Sequence, residues 1–351
     1  MKIDEIETPA LLLDMDAMES NLAKMAAFFA QSAAKLRPHF KNHKCPALAL
    51  RQLAAGAIGM TCATVAEAES LVRHGVHSVL IANEIADPIK IGRFIALASL
   101  ADVMVCVDNE AVVEAIAAAG RSQRIQPGVL VDVDVGLHRC GVQPGEPVVR
   151  LARIVVERGL RLRGLMGYEG RVRMHDGPEK LKVCKESIRQ LIESRDLVAH
   201  AGIPVEILSG GGTSSYNVCG GYPGLTEVQA GSYLVMDTDY RHCCCSDFEL
   251  ALSLLTTIVS KTGNERVVVD AGVKALSALR GLSSVKGAGG VTLRALNAEH
   301  GIIQLDNPDR SLDVGDKIEL WVHDADSTIS LHRQIFGVRN GLVEETFRVE
   351  G

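Results

Sequence analysis

Arg37, His39 and Lys41 stand at alternate positions in RPHFKNHKCP, a segment that continues through His43 and Lys44 to Cys45 and Pro46. If the first part is extended, side chains two apart share a face, so guanidinium, imidazole and amine would point the same way. A solvated basic edge would look the same, and the position of the strand decides between the two. Further along, Ser209-Gly210-Gly211-Gly212-Thr213-Ser214-Ser215 follows an apolar run. Consecutive glycines let backbone N–H groups approach an anion, and the hydroxyls add donors, so this segment is a candidate phosphate cradle as well as a candidate flexible turn. A lysine facing such a cradle suits a Schiff base with pyridoxal phosphate, because lysine amines form these adducts once desolvated or placed near other cations.

The elements that must position these groups are legible as alternating short β-rich runs and helical patterns. The strand candidates are LRPHFK (36–41), AIGMT (57–61), SVLIA (78–82), DVMVCV (102–107), VLVDVD (129–134), LRGLMGYE (162–169), VEILSGG (205–211) and EVQAGS (227–232). Helical stretches such as VAEAESLVRHG and NEAVVEAIAAAG lie between them, many closing on glycine as helix C-termini do. Eight strands with intervening helices predict an α/β fold, a TIM-type (β/α)8 barrel. A doubly wound sheet is the competitor, but neither GxGxxG nor a P-loop supports it. After residue 245 the runs LALSLLTTIVSK, RVVVDAGV, GVTLRAL, GIIQL, DKIELWVH and QIFGVRNGLVEETFRV lack long helices between them. The expectation is a barrel over 18–243 and a C-terminal β domain over 244–351, completed by the N-terminal strand in 1–17.

Barrel active sites lie at the C-terminal ends of the strands, with phosphates often held after the seventh and eighth. The glycine loop ends the seventh strand and RPHFKNHKCP ends the first, so both belong to one rim. Lys41 is preferred to Lys44, being nearer the strand and in phase with Arg37 and His39. A phosphosugar enzyme with a general-acid lysine satisfies the same residues. Arg139, just past the fifth strand in VDVDVGLHRCGV, could reach a cofactor in the barrel mouth. Tyr168, in GYEG at the end of the sixth, could pack against a ring or sit in the core.

Composition narrows the function classes. The chain has 351 residues, 47% hydrophobic and 23% charged, with net charge −6. Without a basic tract, nucleic acid and anionic membrane are poor partners, whereas a small anion needs only local positive charge. Nine cysteines without CxxC pairs do not form a disulfide framework, and the run Cys243-Cys244-Cys245 reads as ordinary thiols. No secretory leader pattern and no 18-residue apolar run is visible, so a cytoplasmic location is the expectation.

Taken together, RPHFKNHKCP, VDVDVGLHRCGV, SGGGTSS, TEVQAGSYLVMDTDY, VVDAGVKA, LNAEHG and STISLH resemble the D-threonine aldolase group of fold-type III, alanine racemase-like pyridoxal-phosphate enzymes. That group also contains 3-hydroxy-D-aspartate aldolases and, more distantly, D-serine dehydratases, and the similarity runs over essentially the whole chain. The resemblance implies a metal-assisted lyase. It would cleave β-hydroxy-D-amino acids by a retro-aldol reaction to glycine and an aldehyde. It implies Lys41 as the Schiff-base lysine, with His39 and Tyr168 as further catalytic residues. Arg139 would meet the pyridine nitrogen, and Tyr168, Gly211, Gly212, Thr213 and Ser214 would hold ring and phosphate. A divalent metal would bind the β-hydroxyl and favour its alkoxide. A homodimer acting on a small amino-acid substrate is implied by analogy.

Several positions depart from the pattern. Ala63 stands where relatives often carry Gln, and Glu169, Arg171 and Arg173 replace a His/Gln-rich loop. The arginines could receive an anionic substrate group or simply face water. Relatives place a His-x-Asp or His-x-Cys metal pair shortly before Thr-x-x-Leu-His. Here an ungapped register puts Asp324 in the histidine's place and keeps Asp326, while His323 serves only if the loop slips by one. A carboxylate pair would favour Mn²⁺ or Mg²⁺ over Zn²⁺, and a polar β-turn is the alternative. Competing activities are a D-serine or 3-hydroxy-D-aspartate dehydratase, a racemase, and a non-catalytic pyridoxal-phosphate carrier. The C-terminal β domain speaks against the carrier.

Overall fold

The computed structural model describes residues 1–243, 246–287, 289–306 and 312–350. Cys244 and Cys245, with the side chain of Cys243, lie outside the described residues. Two compact units emerge: Met1–Ala23 with Asn42–Leu48 and Ser232–Glu350, and Lys24–Lys41 with Ala49–Gly231.

The chain opens with β1 (Ala10–Asp14) and α1 (Met15–Ala30). Eight parallel strands follow: β2 (Lys35–Leu36), β3 (Met60–Cys62), β4 (Ser78–Ile81), β5 (Asp102–Val107), β6 (Gly128–Asp132), β7 (Arg161–Gly167), β8 (Ile207–Gly210) and β9 (Glu227–Val228). Between them run α2 (Pro46–Ala54), α3 (Val65–Arg73), α4 (Pro88–Ala98), α5 (Glu110–Gln123), α6 (Glu146–Glu157), α7 (Gly177–His200) and α8 (Tyr216–Gly221). Their starts are written in the sequence. Thr64, Asp87 and Asn109 are N-caps whose side chains accept backbone N–H bonds, which satisfies donors that a helix start leaves orphaned.

The strands pair in the order β2-β9-β8-β7-β6-β5-β4-β3. The sheet curls shut where Pro38 O accepts from Thr61 N at 2.8 Å and Leu36 O from Ile58 N at 2.9 Å. Leu80, Met104, Cys106, Leu130, Met166 and Ile207 form one core cluster, with Tyr168 packed against it. Branched and sulfur side chains fill the interior of such a sheet because both faces are covered.

The first strand is shorter than its sequence suggests. It ends at Leu36, His39 keeps only an isolated bridge to Thr61, and Phe40–Asn42 turns as a 3-10 helix. Arg37 is not a rim residue. It is buried, with Nε on Glu227 Oε2 and Nη1 on Ser78 Oγ, both at 2.9 Å. Gly59 makes room for it, since a Cβ there would lie 2.2 Å from Arg37 Nη1.

The other unit is a sheet of nine strands. After α9 (Thr238–Cys243) come β10 (Leu252–Lys261), β11 (Arg266–Val269), β12 (Ser284–Val285), β13 (Val291–Leu296), β14 (Gly301–Leu305) and β15 (Lys317–Trp321). Then α10 (Ala325–Ile329) leads to the hairpin of β16 (Gln334–Arg339) and β17 (Leu342–Arg348). The order is β13-β14-β11-β10-β1-β16-β17, with β15 beside β10 and β12 beside β15. β1 is thus an interior strand, antiparallel to β10 and parallel to β16. Asn340 and Gly341 turn the last hairpin with φ of 50° and 75°, the positive angles a two-residue hairpin loop requires. Among the described residues no helix is long and apolar enough to cross a membrane.

Candidate active site

The barrel's C-terminal rim gathers most of the residues singled out from the sequence. Lys41 sits in the 3-10 turn after β2, half-buried, and its ammonium makes no ion pair among the described residues. Its backbone N–H donates to His39 Nδ1 at 3.4 Å. His39 is held in place because Gly231 lies against it; a Cβ on Gly231 would stand 2.6 Å from the His39 carbonyl oxygen. Tyr168 leaves the end of β7 over the interior cluster, and the Arg139 guanidinium carbon lies 5.9 Å from its ring centroid. That is within cation–π range.

The glycine loop after β8 faces the same ring. A Cβ on Gly212 would be 3.4 Å from Tyr168 Cε2, whereas one on Gly211 (φ +77°) would strike Val228 Cγ1 at 2.8 Å. Thr213, Ser214 and Ser215 are all buried. Two of the N–H groups the sequence offers to a phosphate are already engaged. Gly211 N donates to Glu169 Oε2 at 3.0 Å, and Gly212 N to Ser215 Oγ at 3.1 Å. Ser215 in turn donates to Glu169 Oε1. Glu169, noted in the sequence only as a departure, is therefore the buried anchor of the loop. The GYEG position was visible, but its partners lie more than 40 residues away.

Beside Glu169, Cys219 Sγ is 3.4 Å from Oε1 and 3.9 Å from Cys184 Sγ. These three are the metal-ligand types found grouped in threes among the described residues. They make a poor ion site. The carboxylate is already hydrogen-bonded to Gly211 N and Ser215 Oγ, and the Cys184 thiol together with burial pushes the Cys219 thiol well up.

A second acidic group stands behind Arg139. Asp132, at the end of β6, is pushed up to about 8 by burial, by its bond to and charge from Glu84, and by Asp108, against the pull of Arg139. Two carboxyls sharing one proton behave this way. Asp134, two residues on, goes down: burial opposes, but the backbone and ring N–H groups of His138 and the Gly136 N–H prevail. Asp132 was hidden in the VDVDV run, where a carboxylate inside an apolar strand is the signal that could have exposed it. Arg171 packs over Gly136, where a Cβ would lie 2.8 Å from its guanidinium carbon.

The expected metal ligands do not form one set. Asp324 is the N-cap of α10: its Oδ1 accepts from Ser327 N, its Oδ2 from Ser277 Oγ, and Arg280 Nε is 3.8 Å away. His323 Nδ1 is 2.8 Å from Thr238 Oγ1. Asp326 Oδ1 accepts from Asn42 Nδ2 at 2.5 Å. Nearby Asp237, 2% exposed, accepts from Ala325 N and Tyr240 N.

The residues of the barrel rim fit pyridoxal phosphate: an amine on Lys41, a ring face on Tyr168, a cation at Arg139, and a hydroxyl-rich loop whose Gly212 opens toward the ring. The chain matches the family described as "Alanine racemase, N-terminal domain" over residues 13–239, and "Putative serine dehydratase domain" over 251–338. A D-threonine aldolase of Arthrobacter sp is 36% identical, covering 98% of this chain and 92% of its own. A 3-hydroxy-D-aspartate aldolase of Paracoccus denitrificans is 35% identical, covering 99% and 93%. The crystal structure of a D-threonine aldolase from Filomicrobium marinum superposes with a TM-score of 0.96 at 34% identity, over 99% of this chain and 96% of that one.

Proposed function

The chain belongs to the alanine racemase N-terminal domain family, within its D-threonine aldolase group, and on that premise we propose that it is a pyridoxal-phosphate-dependent lyase cleaving β-hydroxy-D-amino acids to glycine and an aldehyde. The observation that supports this reading is the packing of Arg139 and Gly212 around the Tyr168 ring, with Lys41 in the turn that follows β2.

Bound there, pyridoxal phosphate supplies the electron sink that takes up the pair released when Cα–Cβ breaks. Lys41 would hold the cofactor through its Nζ, and the same amine is the group placed to return a proton to Cα. His39 is fixed at the rim by Gly231 and by the Lys41 N–H, which its Nδ1 accepts, and so has Nε2 as its donor. Arg139, over the Tyr168 ring, would meet the pyridine nitrogen, and a guanidinium there disfavours protonation of that nitrogen. Tyr168 supports the ring, and the loop anchored by Glu169 takes the phosphate through Thr213 and Ser214. A divalent cation, Mn²⁺ or Mg²⁺, is part of the reading; its contribution is to lower the pKa of the β-hydroxyl. Asp326 is the expected ligand that is not used as a helix cap.

Borohydride reduction of the purified holoenzyme followed by peptide mapping should place the label on Lys41. A label on Lys44, or protein purified and reconstituted without any bound cofactor, would overturn the assignment. The match to a serine dehydratase domain over 251–338 favours dehydration as the second reading, which product analysis separates.

A further inference from the structure

Asn42 directly follows Lys41 and is 1% exposed. Its Nδ2 is spent on Asp326 Oδ1, and its Oδ1 is buried without a hydrogen-bond partner among the described residues. A buried acceptor left unsatisfied costs about 1–3 kcal/mol, and native proteins keep few of them. Something electropositive belongs against that oxygen.

The surroundings say what kind of group fits. Asp326 brings a carboxylate against the same amide, held by Nδ2. Asp237, just before α9, accepts from the N–H of Ala325, the residue before Asp326, so a second carboxyl group lies beside that turn with both oxygens engaged. Two acceptors cannot satisfy one another, whereas a cation satisfies both and offsets the gathered negative charge.

The other candidates for holding such a cation are occupied. Asp324 has one oxygen on the Ser327 N–H of its own helix and the other on Ser277 Oγ, with Arg280 Nε at 3.8 Å. An ion there would compete with a guanidinium and unfasten a helix start. His323 is turned to Thr238 at 2.8 Å, and its Nε2 lies 2.8 Å from the point where a Cβ on Gly281 would stand.

We propose that Asn42 Oδ1 and Asp326 are the protein ligands of a divalent-cation site built from oxygen donors, with Asp237, Asp324 and His323 outside it. An amide oxygen and carboxylates are hard donors, so the site takes Mn²⁺, Mg²⁺ or Ca²⁺ in preference to Zn²⁺. The inference rests on the lyase reading for the presence of a cation, but the residues that hold it follow from the orphaned oxygen and the engaged caps.

Mn²⁺ binding to chelator-treated, pyridoxal-phosphate-loaded protein, read by the electron paramagnetic resonance signal of free Mn²⁺, tests this without any turnover. The wild type should bind Mn²⁺, and Asn42→Ala and Asp326→Asn should each weaken it by at least about tenfold. Asn42→Asp, which keeps an oxygen in place and adds charge, should bind at least as tightly as wild type and guards against a folding defect in the alanine variant. Asp324→Asn, which keeps the cap, and His323→Gln should leave the affinity unchanged. Wild-type affinity in Asn42→Ala, or loss of Mn²⁺ in a folded Asp324→Asn or His323→Gln protein, would overturn the assignment. Cleavage of substrate by a protein that binds no Mn²⁺ would place a water on Asn42 and sink the cation site while leaving the lyase reading intact. Mn²⁺ held through Asn42 in a protein that cleaves no β-hydroxy-D-amino acid would do the reverse.

Discussion

Replacing Glu227 by Ala should strand Arg37 inside the barrel. The two side chains are 5% and 2% exposed and meet at 2.9 Å. At that distance the direct attraction between unit charges is about 6 kcal/mol at an effective dielectric constant of about 20. Desolvating both ions offsets much of this, and Glu227 Oε1 is itself buried without a partner. The pair is therefore worth little net, while breaking it on one side should cost about 3–5 kcal/mol, because Arg37 keeps only the hydroxyl and carbonyl of Ser78. The double change Arg37→Met with Glu227→Leu removes both charges at similar volume and should recover most of that loss. Urea unfolding followed by far-ultraviolet circular dichroism on the wild type, the single and the double variant measures all three. Since Arg37 lies four residues before Lys41, the single variant should also retain less cofactor, read from its visible absorbance. A Glu227→Ala cost below about 1 kcal/mol, the size found for exposed pairs, would refute the reasoning. So would a double variant no more stable than the single one.

Three other perturbations read other parts of the structure. Asp132, raised from 3.8 to about 8, keeps a proton in the folded state that the unfolded chain has already released, so its contribution to stability is full at acid pH and is lost as pH rises between those values. Asp132→Asn should remove that decline, and parallel urea-midpoint profiles against pH for variant and wild type would contradict it. Glu169→Ala frees the Gly211 N–H and the Ser215 hydroxyl and should weaken pyridoxal-phosphate binding by about tenfold or more, the worth of a charged hydrogen bond; equilibrium dialysis showing tighter binding would mean that the carboxylate's charge outweighs its anchoring. Asp324→Ala should cost about 1 kcal/mol through loss of the α10 cap, and Asp324→Asn much less; equal costs in thermal unfolding would argue against capping.

The barrel was legible because its strands are apolar, β-rich runs closed by glycine-ended helices; DVMVCV occupies β5 residue for residue. The end of the first strand was not. Alternation placed Arg37 with His39 and Lys41, but Arg37's partner is 190 residues away, and Pro38 lacks the N–H that would extend the ladder. Lys41 reaches the rim through a 3-10 turn rather than by strand phase. The proposed cofactor rim was visible as motifs, whereas Glu169, Asp132 and Asn42 make contacts distant in sequence. Asn42 and Asp326 are 284 residues apart. Asp324 carried a local signal that competed with the ligand register: an Asp immediately before a short helix is an N-cap candidate.

The central claim is tested most directly by identifying what the holoenzyme makes from D-threonine and L-threonine in the presence of Mn²⁺. Glycine and acetaldehyde in equal amounts from the D-isomer, with the L-isomer untouched, is the predicted result. Ammonia with a 2-oxo acid, or comparable turnover of the L-isomer, would contradict it.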